Sequence, residues 1–363
     1  MADAAGSQPL RTPHELLAAL RTQSAGSHVR VALDAMGGDL APAETVRGAL
    51  AVAGEQLSVV LVGRRAELEP LVAGAAHVEI VPAADVISSS EEPAKAVRGR
   101  PEASIVVAAR LVAGGQADAL VSAGSTGAVL AASLLYIRRL KGVSRPAICT
   151  LMPSIPLPIV FLDMGANADV RPEHLRQFAV MGQAFATEVL GLERPTVGLL
   201  SIGEEPAKGN QLVVEAHRLI AGDEQINFYG NVEGRDLMNR KVDIVVADGF
   251  TGNVAVKVTE GTARAILGAI KGAVTGSVRA KLGAALMKPD LRRIRDALDP
   301  EEYGGAYLLG MNRPVVIAHG NSRARGIGNA VLAAARAVTS DLLPTIAARL
   351  GADGADEPPD GTV

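Results

Sequence analysis

Five glycine-rich turns carry most of the polar side chains whose types and spacing could do chemistry. Each turn follows a short apolar run typical of a buried strand. The turns are 34–39 (DAMGGD), 122–127 (SAGSTG), 163–167 (DMGAN), 202–210 (IGEEPAKGN) and 248–253 (DGFTGN). Glycine lets the backbone approach a ligand closely, and a following helix N-terminus offers free N–H groups to an anion. Five such turns in one chain predict a polar pocket that accepts a group of the size of phosphate.

Lysine and asparagine side chains dominate the candidate ligand contacts. Lys208 and Asn210 lie in the fourth turn, and Asn167 closes the third. Asn253 and Lys257 are four residues apart, so they share one face of a helix that begins near the fifth turn. Cations and neutral donors of this kind, without a conventional nucleophile beside them, indicate a reaction whose nucleophile is an anion that the protein positions.

The familiar signatures of other enzyme classes are missing from the sequence. It has no P-loop motif for nucleotide phosphates, no G-x-G-x-x-G after the first predicted strand, no G-x-S-x-G elbow, and no H-E-x-x-H or Cys/His cluster. His319 is the one histidine that follows a predicted strand. Cys149 lies inside an apolar run and is interpreted as a packed thiol. No metal and no cofactor are expected.

The elements that must position these residues alternate between strand and helix along the 363 residues. The predicted strands are 29–33, 58–62, 78–81, 119–122, 147–151, 159–162, 196–200, 226–229, 243–247 and 314–318. The predicted helices are 43–50, 102–113, 128–140, 172–189, 211–220, 255–270 and 324–349. Hydrophobic residues make up 48% of the chain but aromatic residues only 2%, which suits parallel strands under alanine-rich helices. The alternation predicts an α/β fold with three α/β/α layers and a mainly parallel sheet.

The ends of the chain and one internal segment depart from this alternation of strands and helices. Residues 1–27 are predicted to form a flexible extension, 28–350 the α/β domain, and 351–363 a disordered acidic tail. Residues 261–289 contain no acid, carry basic residues and place apolar residues at helical spacing. This segment, with the residues up to 300, is interpreted as a basic amphipathic helical insertion that lies on a membrane or contacts a partner or second subunit.

Composition also limits the compartment and the partners. The net charge of −3 does not favour nucleic acid, and one cysteine excludes an internal disulfide. No apolar stretch reaches the roughly 18 residues of a membrane span, and no secretion signal precedes the first strand. We therefore expect a cytoplasmic protein.

Several of these motifs, in this order and spacing, resemble those of the bacterial phosphate acyltransferase (PlsX) family. The resemblance runs from about residue 29 to residue 342. The segments that carry it are 31–39, 121–128, 163–167, 172–175, 208–210, 230–236, 248–253 and 303–306. Ser125 stands where the family usually has asparagine, and 321–323 (NSR) replaces a run that usually ends in an acid. No role is assigned to the second of these loops.

The resemblance implies transfer of a fatty acyl group from acyl-carrier protein to inorganic phosphate, giving acyl phosphate for phospholipid synthesis. It also implies a fold similar to those of isocitrate/isopropylmalate dehydrogenases and phosphotransacetylases, a homodimer, and peripheral association with the membrane. A membrane acyltransferase would then use the product to acylate glycerol 3-phosphate. The alternatives are a phosphotransacetylase-like enzyme that uses acyl-coenzyme A, and a non-catalytic scaffold for lipid synthesis at the membrane.

Roles for individual residues follow from their places in the turns. Lys208 and Asn253 are predicted to be catalytic, through charge neutralisation and hydrogen bonding to phosphate or the oxyanion. The predicted substrate-binding residues are Asp34, Gly37, Gly38, Ser125, Thr126, Gly127, Asn167, Asn210, Lys257 and His319. The predicted contacts with membrane lipid or acidic carrier protein are Lys271, Arg279, Lys281, Leu282, Leu286 and Lys288.

Overall fold

A computed structural model describes residues 28–154, 157–289 and 300–351 of the chain. The predicted N-terminal extension, the end of the amphipathic insertion and all but the first residue of the predicted tail lie outside the described residues. Within them, the chain forms a sheet of eleven strands covered on both faces by helices.

The strands are short and apolar, as buried strands between helices must be. They are β1 Val29–Asp34, β2 Leu57–Gly63, β3 Val78–Pro82, β4 Ala119–Ser122, β5 Ala147–Met152, β6 Ile159–Leu162, β7 Val197–Leu200, β8 Phe228–Val232, β9 Ile244–Val246, β10 Ala306–Leu309 and β11 Val315–Ile317.

Eleven α-helices connect and flank the strands in the described residues. They are α1 Ala43–Val52, α2 Arg65–Val72, α3 Pro93–Gly99, α4 Ser104–Ala113, α5 Thr126–Ala132, α6 Pro172–Glu188, α7 Gln211–Ala221, α8 Gly249–Thr275, α9 Val278–Leu286, α10 Ala324–Thr339 and α11 Leu342–Gly351. One π-helical turn, Ser133–Ile137, and two 3₁₀ turns, Gly234–Met238 and Pro300–Tyr303, complete them.

Strand direction reverses across the middle of the sheet. The strand order is β3-β2-β1-β4-β11-β10-β5-β6-β9-β7-β8. All neighbouring pairs are parallel except three: β11 with β10, β10 with β5, and β5 with β6. Three reversals leave β6, β9, β7 and β8 running opposite to β1, β2, β3, β4 and β11. The carboxyl ends of the two parallel groups therefore lie at opposite edges of the sheet.

Two helical layers bury the two faces of this sheet. One face packs against α1, α2, α6, α7, α10 and α11, and its core includes the edge-to-face pair Phe185 and Tyr307, whose ring centroids are 4.7 Å apart. The other face packs against α3, α4 and α5 over the first half of the sheet, and against Leu237 and Val256 over the second. The predicted three-layer fold with a mainly parallel sheet is confirmed.

Several elements differ from the sequence-based expectation, among them α2 and α3, two short helices that were not predicted. Strand β10 was not predicted; it is four residues long and follows Gly304 and Gly305, which both have positive φ. The predicted helix 324–349 is two helices bent by 55°, because Ser340 adopts an extended conformation. Helix α8 begins at Gly249 instead of 255, because the Asp248 side chain accepts a hydrogen bond from the Thr251 N–H and caps it.

Candidate active site

The first two glycine-rich turns meet around a buried carboxylate at the end of β1. Asp34 is 3% exposed, and the Ser122 hydroxyl donates to its Oδ2 at 2.7 Å. The same Ser122 oxygen accepts the Gly124 N–H at 3.0 Å. A Cβ at Gly37 would lie 2.5 Å from Asp34 Oδ2, so only glycine allows the two turns to come this close.

Asp34 holds the first two turns together. Burial raises the pKa of Asp34, while hydrogen bonds from Ser104, Ser122 and the backbone N–H groups of Met36 and Gly37 act in the opposite direction. These donors converge on one carboxyl group from three separate segments of the chain. The geometry therefore favours a positioning role for this carboxylate.

A cleft of about 460 Å³ opens beside these turns, and we call it the serine cleft. Its polar lining consists of Asp34, Asp39, Ser88, Ser89, Ser104, Ser122, Ser125 and Thr126, and Gly37, Gly38, Gly124 and Gly320 complete that wall. Hydroxyl groups and glycine backbone are the groups that can surround a small anion without adding charge. The Asp39 backbone N–H donates to the Gly320 carbonyl oxygen at 2.7 Å, which joins two of the loops that line the cleft.

A second buried carboxylate shapes the turn after β6, at the opposite edge of the sheet. Asp163 has no exposed surface and accepts hydrogen bonds from Ile148, Gly165, Ala166 and Asn167 at 2.8–3.1 Å. Burial raises the pKa of Asp163, and these hydrogen bonds oppose the rise. The Asn167 side-chain amide donates to Asp163 Oδ2 and to the Pro146 carbonyl oxygen, each at 2.8 Å. Both of its side-chain N–H groups are thus used, one within the turn and one at the residue that precedes β5.

Helix α8 begins directly on this turn. The Gly249 N–H donates to the Asn167 carbonyl oxygen at 2.8 Å, and a Cβ at Gly252 would lie 1.9 Å from the Asp163 carbonyl oxygen. A Cβ at Gly165 would meet the Asn253 side-chain nitrogen at 2.7 Å. Asn253 therefore lies against the backbone of the Asp163 turn, and the two turns form one packed unit.

The next turns of α8 border a second cleft of about 210 Å³, which we call the helix cleft. Its polar lining comes from Thr126, Thr150, Lys257, Glu260, Glu301, Tyr303, His319 and Ser322. Its apolar lining comes from Ile148, Leu151, Met164, Ala306, Ile317 and Ala318. The lining reaches from Gly124, after β4, to Met164, after β6, so it spans both edges of the sheet.

The two clefts adjoin, because Gly124, Thr126 and Gly320 line both of them. Lys257 brings a cation into the helix cleft, where its ammonium lies 3.3 Å from Glu260 Oε2. A polar cavity bordered by hydroxyls thus shares a wall with a cavity that has a mixed apolar and charged lining.

The predicted site residues fall into three groups. Asp34, Gly37, Gly38, Ser125 and Thr126 line the serine cleft, and Thr126, Lys257 and His319 line the helix cleft. Asn253 and Asn167 lie at the turns where α8 begins. Lys208, Asn210 and Gly127 line neither cleft, and the same holds for Asn253 and Asn167.

The structure gives Asn210 and Gly127 local structural contacts. The Asn210 side chain accepts the Val213 N–H at 2.9 Å and caps α7. A Cβ at Gly127 would lie 2.6 Å from Pro93 Cγ, so glycine there permits α5 and α3 to approach.

Lys208 lies on the loop between β7 and α7. It is exposed, and its side-chain stem packs near Gly203. Strand β7 is paired in parallel with β9, which leads to Asn253, with Leu199 opposite Val246. The loops that carry Lys208 and Asn253 therefore start from adjacent strands, about 5 Å apart.

Sequence reasoning missed several lining residues of both clefts. Ser88, Ser89 and Ser104 come from segments outside the five turns, and Glu260, Glu301 and Tyr303 reach the helix cleft from α8 and a 3₁₀ turn. The serine run 88–90 was the one local signal for this group. The others are recognisable only when the chain is folded.

Comparison with known proteins shows to which family the chain is similar. The family model described as "Fatty acid synthesis protein" matches residues 29–344. The chain is 45% identical over 325 residues to a phosphate acyltransferase of Geobacillus thermodenitrificans, covering 89% of this chain and 99% of that protein. It is 48% identical over 324 residues to a phosphate acyltransferase of Heliobacterium modesticaldum, covering 88% and 96%. The chain belongs to the phosphate acyltransferase family.

The fold of this phosphate acyltransferase family member is shared with phosphotransacetylases. A crystal structure of a phosphotransacetylase from Streptococcus pyogenes superposes with a TM-score of 0.63 at 19% identity, covering 90% of this chain and 98% of that one. The resemblance found in the sequence is thus confirmed, and with it the assignment to an acyltransferase family.

The packing of α8 on the Asp163 turn predicts that Gly252→Ala impairs the enzyme. The new methyl group would overlap the Asp163 carbonyl oxygen and push away the helix that carries Asn253 and Lys257. Overpacking of this kind costs about 1–3 kcal/mol of unfolding free energy, and a displacement of about 1 Å lowers turnover by about 100-fold. Urea unfolding and acyl phosphate formation measure the two effects.

Gly268→Ala is the matched control on the same helix. A Cβ at Gly268 meets nothing within 4 Å, so we expect unchanged turnover and a gain of about 0.5–1 kcal/mol from helix propensity. Normal turnover in Gly252→Ala would show that the placement of α8 does not matter to the reaction.

Proposed function

We propose that the protein transfers a fatty acyl group from the thioester of acyl-carrier protein to inorganic phosphate. A phosphate oxygen attacks the thioester carbonyl carbon, the new C–O bond forms, and the C–S bond breaks. The sulfur leaves with the electron pair and takes up a proton, which frees the carrier protein and leaves acyl phosphate. Phosphate is already an anion at neutral pH, so the protein needs to supply orientation and charge.

The adjoining clefts are the observation that carries this proposal. Phosphate in the serine cleft would lie across the shared wall of Gly124, Thr126 and Gly320 from a thioester in the helix cleft. Holding two reactants in line can supply about 7–11 kcal/mol of the barrier reduction. The apolar lining of the helix cleft suits the first methylene groups of a fatty acyl chain.

Covalent catalysis by the cysteine does not fit the structure. Cys149 is buried in β5 with no exposed surface, and burial raises the pKa of its thiol. A thiol held protonated and away from both clefts is a poor nucleophile. Direct attack by phosphate is therefore the reaction we propose.

Lys208, Asn253 and Lys257 are the proposed sources of charge and hydrogen bonds. Among the described residues, the Lys208 ammonium makes no hydrogen bond or ion pair, so it is available to an anion. Asn253 lies one helical turn, about 6 Å, before Lys257 on α8. We propose that Lys208 and Asn253, which follow β7 and β9 at the opposite edge of the sheet from the serine cleft, stabilise the developing oxyanion. Lys257 and His319 would border the thioester.

Product trapping tests the proposed reaction. Purified protein incubated with long-chain acyl-carrier protein and phosphate should yield acyl hydroxamate when hydroxylamine is added. The amount should be well above the background that the thioester itself gives when phosphate is omitted. Acyl-coenzyme A serves as the rival donor. Equal or better turnover with acyl-coenzyme A would favour the phosphotransacetylase-like alternative, and no product with either donor would favour a scaffold.

Replacement of Lys208 by alanine should abolish most of the activity. Removing one donor to a transition-state charge typically lowers kcat by about 100-fold or more. The fold should persist because the side chain is exposed. Lys141→Ala, at an exposed lysine that lines neither cleft, is the control and should retain full activity. Turnover of Lys208→Ala close to that of the control would remove Lys208 from the mechanism.

The outer half of α8 and α9 form a hairpin that we propose lies on the surface of the membrane. Its exposed apolar side chains include Ile266, Leu282, Leu286 and Met287, with exposed fractions from 55% to 84%. Its exposed basic residues are Arg264, Lys271, Arg279, Lys281 and Lys288. Each basic residue contributes roughly 1 kcal/mol near an anionic lipid surface. Among the described residues, no single helix is long and apolar enough to cross a membrane.

Three further features belong to the same proposal. The protein would work at the cytoplasmic face of the membrane and pass acyl phosphate to an acyltransferase that acts on glycerol 3-phosphate. It would also be a homodimer. Phe250, Val254 and Val258, four residues apart on α8 and 49–67% exposed, form an apolar row that suits contact with a second subunit.

Vesicle flotation tests the hairpin. The double variant Leu282→Gln and Leu286→Gln should lose most of its binding to vesicles that contain anionic lipid, because two large apolar side chains no longer enter the interface. The matched control is Leu71→Gln with Leu219→Gln, two exposed leucines outside the hairpin. Unchanged flotation together with a raised KM for acyl-carrier protein would assign the hairpin to the carrier instead.

A further inference from the structure

The segment 230–236 (GNVEGRD) contains a buried asparagine that the proposed reaction leaves without a role. Asn231 lies in β8, is 1% exposed, and is paired with Leu199 of β7. Its side-chain N–H group donates to the Glu205 carbonyl oxygen at 2.8 Å. Its side-chain oxygen lies 2.9 Å from His217 Nδ1 on α7.

The Glu205 carbonyl oxygen links Asn231 to Lys208, because both residues donate a hydrogen bond to it. The Lys208 N–H donates to that same oxygen at 2.9 Å. The Ser201 hydroxyl donates to the Lys208 carbonyl oxygen at 3.1 Å, and the Ser201 N–H donates to the Val232 carbonyl oxygen at 2.8 Å. Hydrogen bonds therefore hold both backbone polar groups of Lys208. Its N–H shares the Glu205 carbonyl oxygen with Asn231 of β8, and its carbonyl oxygen is bound by Ser201 at the start of the loop.

Hydrogen-bond chemistry determines which groups donate and which accept in the series His217, Asn231 and Glu205. A carbonyl oxygen can only accept, so the Asn231 amide nitrogen must face Glu205 and its oxygen must face His217. His217 Nδ1 must then carry a proton and donate. The His217 ring also packs edge-to-face on Phe228, with centroids 5.0 Å apart, which holds the imidazole in place.

A second contact holds the same loop from the solvent side. The Lys241 ammonium lies 2.6 Å from Glu204 Oε1 and 3.5 Å from Asp236 Oδ2. The hydrogen bond to Glu204 raises the pKa of Lys241. This exposed ion pair contributes little by itself, whereas the buried amide is costly to disrupt. Asn231 is therefore the stronger of the two restraints.

We propose that Asn231 is a positioning residue that fixes the loop carrying Lys208, and that His217 in turn orients Asn231. The proposal rests on the catalytic role proposed for Lys208. It gives segment 230–236 a function in the reaction although none of its residues lines either cleft.

Asn231→Asp tests the proposal with almost no change in shape. A carboxylate oxygen cannot donate to the Glu205 carbonyl, so the loop should loosen. We expect kcat for acyl phosphate formation to fall by about 10–100-fold, with the KM for the acyl donor changed less than about twofold. Hydrogen exchange at the Lys208 amide should become faster. Asn227→Asp is the matched control, since Asn227 also donates to a backbone carbonyl, that of Arg194, at the other end of β8.

His217 supplies variants for the case in which Asn231→Asp fails to fold. His217→Phe keeps the contact with Phe228 but cannot donate to Asn231, so kcat should fall and exchange at Lys208 should rise. His217→Asn keeps a donor near the position of Nδ1 and should restore both values towards those of the unaltered protein. This rescue would not occur if His217 only filled space.

The outcomes separate this proposal from the proposed reaction. A kcat within about twofold of the unaltered protein in both Asn231→Asp and His217→Phe would overturn the positioning role, whatever the exchange rates. A fall in kcat without faster exchange at Lys208 would also overturn it, because the effect would not pass through the loop. If the unaltered protein makes no acyl phosphate, the proposed function fails. In that case, unchanged hydrogen exchange at the Lys208 amide in both variants would show that Asn231 does not restrain the loop.

Discussion

The arrangement of the site depends on the compensation of one buried charge, the carboxylate of Asp163. A carboxylate removed from water is unfavourable unless hydrogen bonds replace its hydration. Five donors from β5 and from the turn itself supply them. The turn is therefore held in one shape, and its carbonyl groups become the surface on which α8 begins.

The position of the Asp163 turn determines where α8 begins, and the start of α8 determines the position of other site residues. Gly249 and Gly252 bring the first turn of the helix into contact with the Asp163 turn. The direction of the helix then places Lys257 and Glu260 along the helix cleft and leaves the outer half of the helix exposed. One packing contact thus connects the buried carboxylate, the cleft and the basic hairpin.

The reversal of strand direction gives the clefts their second constraint. In a fully parallel sheet, all five glycine-rich turns would gather at one edge. Here β10 and β5 separate two parallel groups, so the turns after β1 and β4 lie at one edge and those after β6, β7 and β9 at the other. The helix cleft connects the two edges, and this is why residues from both groups of turns border it or lie beside it.

The sequence by itself determined the family, the three-layer α/β class, most strands and the turns that line the serine cleft. Those features depend on local patterns: apolar runs, glycine positions and polar residues at strand ends. The position of Asp34 directly after a buried strand is one such pattern, because a buried carboxylate needs donors from the neighbouring turns.

Tertiary structure decided which turns meet and which cleft each residue faces. Strand β10 was missed because no helix separates it from β11, so it breaks the strand–helix alternation on which the prediction relied. It is one of the two strands that reverse the sheet. The roles of Ser104, Glu301 and Asn231 depend on partners far away in the chain, such as Asp34 for Ser104 and His217 for Asn231. Such contacts follow from strand order, which local spacing does not encode.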